Sequence, residues 1–420
     1  MPLEDRFAAQ MGRLLAGATP ECIGLAVSGG GDSTALMYLA AGWAAPRGIG
    51  LRAVTIDHGL RPEAAGEARK VQAQATALGI AHETLRWEGW NGTGNLQDAA
   101  RRARRRLIGR WGQGLGHVLM GHMMEDQAET VLRNLARGSG VAGLSGMAGV
   151  GRLPGPGAPL LLRPLLEMRR QELRDWLTAR GIGWSEDPSN ADERFERVRA
   201  RHALAQGNAL GLTVEGLAET ARRLRRARAA LDLRAGEAAR RLSRISHGDV
   251  VLERAGLATL DEETRFHLLS RALCWVASCE YRPRMRALEC AWEAVAAGRA
   301  ATLHGCVMGP GRGGLRICRE WKAVAGLRAT VAGPTRWDGR WVISGAAVEG
   351  CMIRAVGEDG LRQARAALCG ADLPPHVSLL AAPALFRGET LVALPPFCGA
   401  ACDLVLDPPA GSFTGSFAGM

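Results

Sequence analysis

The chain has 420 residues, of which 47% are hydrophobic and 23% charged. That is long enough for two or three domains and apolar enough for real cores, and it excludes global disorder. The formal net charge is +11 and the pI about 9.7, a balance that favours a polyanionic partner, nucleic acid first. Only Lys70 and Lys322 are lysines among 53 basic residues. The arginine bias reads as GC-rich coding, so only the positive excess is informative.

The first stretch, Met1 to Gly17, is short and amphipathic, with Glu4 and Asp5 where a secretion signal would be basic. No apolar run reaches membrane-spanning length. The expectation is a soluble cytoplasmic protein with no membrane partner. Cys22 to Val27 reads as a buried strand running into glycines, and Ser33 to Ala45 as a helix. Leu51 to Ile56 reads as a strand ending in Asp57-His58-Gly59, Pro62 to Leu78 as a helix, and Ile80 to Trp87 as a third strand. Leu96 to Trp111 is an Arg-rich helix, His117 to Gly121 a short strand, and Glu125 to Ala136 a helix. This alternation predicts an α/β fold with a doubly wound, mostly parallel sheet, whose ligands bind outside the carboxyl ends of the strands.

Gly149 to Pro159 reads as a Gly/Pro loop, Leu173 to Ala179 as helix, and Ser185 to Asn190 as a polar cluster. Leu217 to Leu242 and most of Glu262 to Ala297 read as helix. Short alternating runs from Ala300 suggest a small α+β domain, and the tail from Pro408 reads as disordered. The expected division is 1–210 for the catalytic α/β domain, 211–300 for a basic helical domain, and 301–420 for the small C-terminal domain. Nine of the ten cysteines lie beyond residue 270 without disulfide or zinc-ligand spacing, which predicts reduced thiols.

The chemistry concentrates in Ser28-Gly29-Gly30-Gly31-Asp32-Ser33. It follows a strand and opens a helix, so glycine backbone and helical N–H groups can cradle phosphates. No Gly-Lys-Ser/Thr follows, so it is not a Walker A loop. Asp32 would repel phosphate unless a cation lies between them, which implies Mg²⁺ with Asp32 as its ligand. The bland alternative is a glycine turn with Asp32 or Ser33 capping the helix.

Ala26-Val-Ser-Gly-Gly-Gly-Asp-Ser33 resembles the S-G-G-x-D-S signature of PP-loop ATP pyrophosphatases, which have an adenine nucleotide alpha-hydrolase-like fold. Further segments resemble one member of that group, the tRNA(Ile)-lysidine synthetases. They are Asp57-His58-Gly59-Leu60-Arg61; Asn95-Leu-Gln97-Asp-Ala-Ala100-Arg101 with Arg104; and His122-Met-Met-Glu125-Asp126-Gln127-Ala-Glu129-Thr130. Arg137-Gly138-Ser139-Gly140, Gly143 to Met147, Arg163-Pro164-Leu165-Leu166 and Glu186-Asp187-Pro188-Ser189-Asn190 follow in order. The resemblance covers roughly residues 20 to 205. It departs at Met123 (a second His in the family), Glu125 (Asp), Arg105 (Tyr) and Val198 (Asn).

The resemblance implies ATP-dependent ligation of free L-lysine to C2 of the wobble cytidine in a tRNA(Ile) with a CAU anticodon. The reaction passes through an adenylated cytidine and releases pyrophosphate and AMP. It implies ATP and Mg²⁺ as cofactors and suggests a homodimer. Ser28 to Ser33, Asp57 and His58 would bind ATP; Arg101, Arg104 and Arg199 would offset charge on the α-phosphate. His122, Glu125, Asp126 and Glu129 would receive lysine, with Asp126 favouring its nucleophilic amine. Arg222 to Arg228, five arginines in seven residues, would touch RNA phosphates, and the C-terminal half would read the acceptor stem by shape. The alternatives are a PP-loop tRNA thiolase, a small-molecule amide-forming ligase, or a non-catalytic RNA-binding protein. The expected catalytic domain, residues 1–210, contains only Cys22, which argues against sulfur transfer.

Overall fold

The computed structural model describes the chain except residues 60–63, 89, 91–95, 156, 187–195, 208–209, 312, 365–372, 396, 398–401 and 418–420. Leu60-Arg61, Asn95 and Asp187 to Asn190, all in the motifs above, therefore lie outside the described residues, as does the side chain of Arg197. The chain forms two compact units, Met1–Arg228 and Ala229–Gly419.

The first unit contains, in order, α1 (Leu3–Leu15), β1 (Cys22–Ala26), α2 (Gly31–Ala44), β2 (Gly50–Asp57), α3 (Ala64–Ala77), β3 (Ala81–Arg86), α4 (Leu96–Trp111) and β4 (His117–Met120). It continues through α5 (Met124–Ala136), α6 (Val141–Leu144), β5 (Val150–Arg152), β6 (Leu160–Leu162), α7 (Arg170–Thr178) and α8 (Glu196–Gly207). The division between the units falls within α9 (Val214–Leu242). The sheet order is β3-β2-β1-β4-β6-β5, with every pairing parallel except β5 to β6.

The sheet buries both faces, which is why β1 reads as an unbroken apolar run rather than an alternating one. On one face Ile23, Leu25, Leu36, Met37 and Leu119 pack with Phe7 and Met11 of α1 and Leu173 and Leu177 of α7. On the other, Val54, Val118, Met120 and Leu161 pack with Ile108 of α4. This is the doubly wound α/β sheet expected. Within the stretch read as loop, Val150–Arg152 pairs antiparallel with β6. Three residues are too short to show periodicity, and the partner strand supplies the ordering.

The second unit holds a five-stranded antiparallel sheet, β7 (Ser243–Ser246), β8 (Asp249–Leu252), β9 (Ala301–Leu303), β10 (Cys306–Gly311) and β11 (Gly314–Arg319), in order β7-β8-β11-β10-β9. Between β8 and β9 come α10 (Arg254–Thr259), α11 (Glu262–Ala277) and α12 (Met285–Ala296). A boundary at 300/301 falls inside this sheet, because its strands come from both sides of that point. Two smaller antiparallel sheets follow, one of four strands and one of three.

The tail from Pro408 corrects the expectation of disorder. Phe413 and Phe417 are buried, their rings 5.5 Å apart, and Phe413 meets the Trp275 ring edge-on at 5.7 Å. Trp275 Nε1 donates to Gly411 O at 2.9 Å. Gly, Pro and Ser set the composition of the segment, but two phenylalanines four apart anchor it in the core. Among the described cysteines, Cys306, Cys318 and Cys351 are buried free thiols.

Candidate active site

The site forms at the carboxyl ends of β1, β2 and β4. β1 delivers the chain into Ser28 to Ser33, and α2 opens at Gly31 with Gly30 as its N-cap and no side-chain cap. Asp32 stands in the first helical turn, so the helix-cap alternative falls. Gly29 has φ +89°, a left-handed turn that a side chain would strain. Ser33 Oγ donates to Gly30 O at 3.0 Å and accepts from Ser28 N at 3.1 Å. Ser185 N donates to Gly29 O at 2.9 Å. These bonds hold the loop in shape at a helix start that no side chain caps, the arrangement that binds anions.

Asp32 is mostly buried. Desolvation raises its pKa to about 6, opposed by Arg170 and Arg174 and reinforced by Asp126 and Glu125. Arg170 Nε lies 3.8 Å from Asp32 Oδ2. Arg170 and Arg174 thus stand against the Asp32 charge while Asp126 and Glu125 add to it, and among the described residues no three acidic, His or Cys side chains are placed to hold a metal ion.

The acidic residues of α5 already have protein partners. Asp126 Oδ2 accepts from Met123 N at 3.0 Å, closing the first turn. Glu125 accepts from Arg169 Nε at 2.8 Å and from Arg170 N at 3.0 Å, which docks the start of α7. Glu129, 1% exposed, accepts from Arg201 Nε at 2.5 Å. Arg201 belongs to α8, whose Glu196 also binds Arg133 and Arg137 at 2.6 Å each. Gln127 clamps Met147 through two bonds, Nε2 to O at 2.7 Å and N to Oε1 at 2.6 Å. Much of the shared pattern in α5 therefore holds neighbouring loops and helices in place.

Asp57 Oδ1 accepts from Gly59 N at 2.8 Å, turning the chain at the end of β2. His58 meets the Trp87 ring edge-on at 5.9 Å. Burial, then the nearby Arg104, holds the His58 pKa below its ordinary value, with Asp57 opposing. His122 follows β4 half-buried, its N–H bonded to Met120 O at 2.9 Å. Arg101 and Arg199 are exposed on α4 and α8. The structure thus brings Asp32, Glu125 and Asp126 together, and Asp57, His58 and Arg104 together.

Met123 is fully buried with the apolar core, and Val198 is 4% exposed. Both departures place apolar groups in buried positions. In the basic run of α9, Arg222 and Arg223 bind Glu219. Arg225 donates to Met147 O at 2.9 Å and to Ser145 O at 3.2 Å. Sequence reasoning missed Arg169 and Arg170, and the partner of Arg201, because the paired residues lie 44, 138 and 72 positions apart: Glu125, Asp32 and Glu129. The Arg-Arg pair soon after Arg163-Pro164-Leu165-Leu166 was the available signal.

Fold and loop define a PP-loop enzyme that uses ATP, and the sequence profile of the PP-loop domain matches residues 3–208. A tRNA(Ile)-lysidine synthase of Ruegeria pomeroyi is 46% identical over 400 residues, covering 94% of this chain and 91% of that protein. One from Mesorhizobium japonicum is 35% identical over 88% of this chain and 83% of that protein. One from a Bradyrhizobium species is 44% identical over 63% and 77%. The chain belongs to the tRNA(Ile)-lysidine synthase family.

Proposed function

We propose that this chain uses ATP to attach free L-lysine to C2 of the wobble cytidine of a tRNA(Ile) with a CAU anticodon. The observation that carries the reading is the 46% identity over 94% of the chain, with the phosphate loop and Asp32 intact.

In this reading the C2 oxygen of cytidine attacks the α-phosphorus of ATP and pyrophosphate leaves. The lysine ε-amine then attacks C2, loses a proton, and AMP leaves with the C2 oxygen. Ser28 to Ser33 hold the phosphates through the loop and the start of α2. Asp57 and His58 bound the nucleotide at the end of β2, and Arg104 beside His58, with Arg101 and Arg199, offsets phosphate charge. Mg²⁺ bound with ATP would be held by Asp32 and would screen it from the phosphates. His122, Glu125, Asp126 and Glu129 form the wall that receives lysine; Arg169 and Arg201 fix its outer carboxylates, and Asp126 takes up the amine proton. ATP, tRNA and free lysine meet in the cytoplasm, the compartment we propose. Among the described residues no helix is long and apolar enough to cross a membrane. A homodimer is expected by sedimentation.

The test combines protein, ATP, Mg²⁺, labelled lysine and a CAU-anticodon tRNA(Ile) transcript. Label should enter the tRNA with release of AMP and pyrophosphate, and Asp32→Ala should abolish both. Pyrophosphate release only with another amine or a sulfur donor would move the protein to sister chemistry.

A further inference from the structure

A second cluster of cations stands at the carboxyl end of β6. Arg163 immediately follows that strand, and its Nη1 donates to Ala148 O at 2.7 Å. The guanidinium lies over Gly151, where a Cβ would come within 3.1 Å of Nη1, so the glycine leaves its space. Arg105 of α4 donates through Nη2 to Arg152 O at 2.6 Å. Backbone carbonyls on either side of Gly151 thus hold two guanidiniums. Arg101, one turn earlier on α4, is exposed and makes no ion pair among the described residues.

Nothing acidic among the described residues balances Arg163. Among the described residues its hydrogen bond goes to a neutral carbonyl. Burial first, then Arg105 and Arg101, pushes its pKa down to about 10. A half-buried guanidinium is ordinarily offset by a carboxylate. A fixed fork flanked by like charge fits instead an external anion with two coplanar oxygens, such as phosphate. α4 divides its arginines: Arg104 faces His58, while Arg101 and Arg105 face Arg163. β6 is two strands from β1, which puts the cluster roughly 10 Å along the sheet edge from the phosphate loop.

We propose that Arg163 and Arg105 bind a backbone phosphodiester of the tRNA strand that carries the modified cytidine. This rests on the function proposed above and adds the point at which the RNA strand is held. Arg105 stands where the resembled family pattern has tyrosine.

The test is tRNA affinity against salt for wild type, Arg163→Gln, Arg163→Lys and Arg105→Tyr, beside affinity for a non-hydrolysable ATP analogue. One lost phosphate contact should lower the slope of log Kd on log salt by about 0.7–0.9 in Arg163→Gln. Arg105→Tyr should lower it too. Arg163→Lys should keep the slope, and ATP-analogue affinity should change less than twofold. A merely structural arginine would move the melting temperature and leave the slope alone, which overturns the proposal. Loss of ATP-analogue affinity with an unchanged tRNA slope assigns the cluster to the nucleotide's phosphates and overturns it equally. If Arg163→Gln does not fold, the slope of Arg105→Tyr decides. Binding needs no catalysis, so a lowered slope in a protein that transfers no lysine would sink the reaction and leave the phosphate site standing.

Discussion

The two compact units differ in the charge they leave grouped. In Ala229–Gly419, buried carboxylates sit against cationic or imidazole partners. Asp232 Oδ1 meets His267 Nε2 at 2.5 Å and Arg271 Nη2 at 3.2 Å. Asp249 Oδ2 meets Arg316 Nη1 at 2.6 Å, and Asp338 Oδ2 meets Arg319 Nε at 3.0 Å. Met1–Arg228 holds such pairs too, Glu129 with Arg201 and Glu125 with Arg169, but beside them like charges gather: Asp32 with Asp126 and Glu125, and Arg163 with Arg105 and Arg101. Charges neutralised inside the fold ask for no ligand. Charges grouped by sign at the end of a sheet need counter-charge from outside, which ATP, a divalent cation, lysine and RNA can supply.

The largest effect that sharpens this contrast is at Asp32. Asp32→Asn should lower lysine incorporation by about a thousandfold or more, the scale of losing a central electrostatic group, read by the label assay. A variant within tenfold of wild type would mean that the grouped carboxylates do not serve the reaction. Next comes a neutralised pair. Asp249→Ala strands the buried Arg316 and should cost about 3–5 kcal/mol of stability in urea unfolding. A loss below about 1 kcal/mol would show that the pair is not what holds that region.

Phe413→Ala should cost about 3 kcal/mol, the range for emptying a buried aromatic site, in the same unfolding measurement. An unchanged midpoint would return the tail to a dispensable role. The smallest effect is a pH dependence. Asp32 has a folded pKa of about 6 against an ordinary 3.8, so the fold binds its proton more tightly than the unfolded chain does. That stabilisation is complete below about 3.8 and is lost as pH rises through about 6. Without metal, Asp32→Asn should therefore gain about 1–2 kcal/mol relative to wild type between pH 4 and pH 8. A difference of opposite sign would place Asp32 among the neutralised charges.

How much of this was legible beforehand differs by kind of feature. β1, β2 and β4 were readable as apolar runs because both sheet faces are covered. The loop was readable because glycines, an acid and a serine between a strand and a helix have few other uses. The basic run Arg222 to Arg228 was readable as charge but not as function: Arg225 proves to be a brace for Ser145 and Met147, while Arg163, outside that run, heads a cationic cluster. The tail misled because composition averages over the two phenylalanines that anchor it.

By itself the sequence determined the α/β alternation, the phosphate loop with Asp32, and the family, since these depend on local order along the chain. Only the tertiary structure decided which charges are neutralised and which are left grouped. Arg201 on Glu129, Arg169 on Glu125 and Arg105 beside Arg163 are separated by 72, 44 and 58 positions. Coulomb interactions depend on distance in space and on burial, and neither is written in sequence spacing.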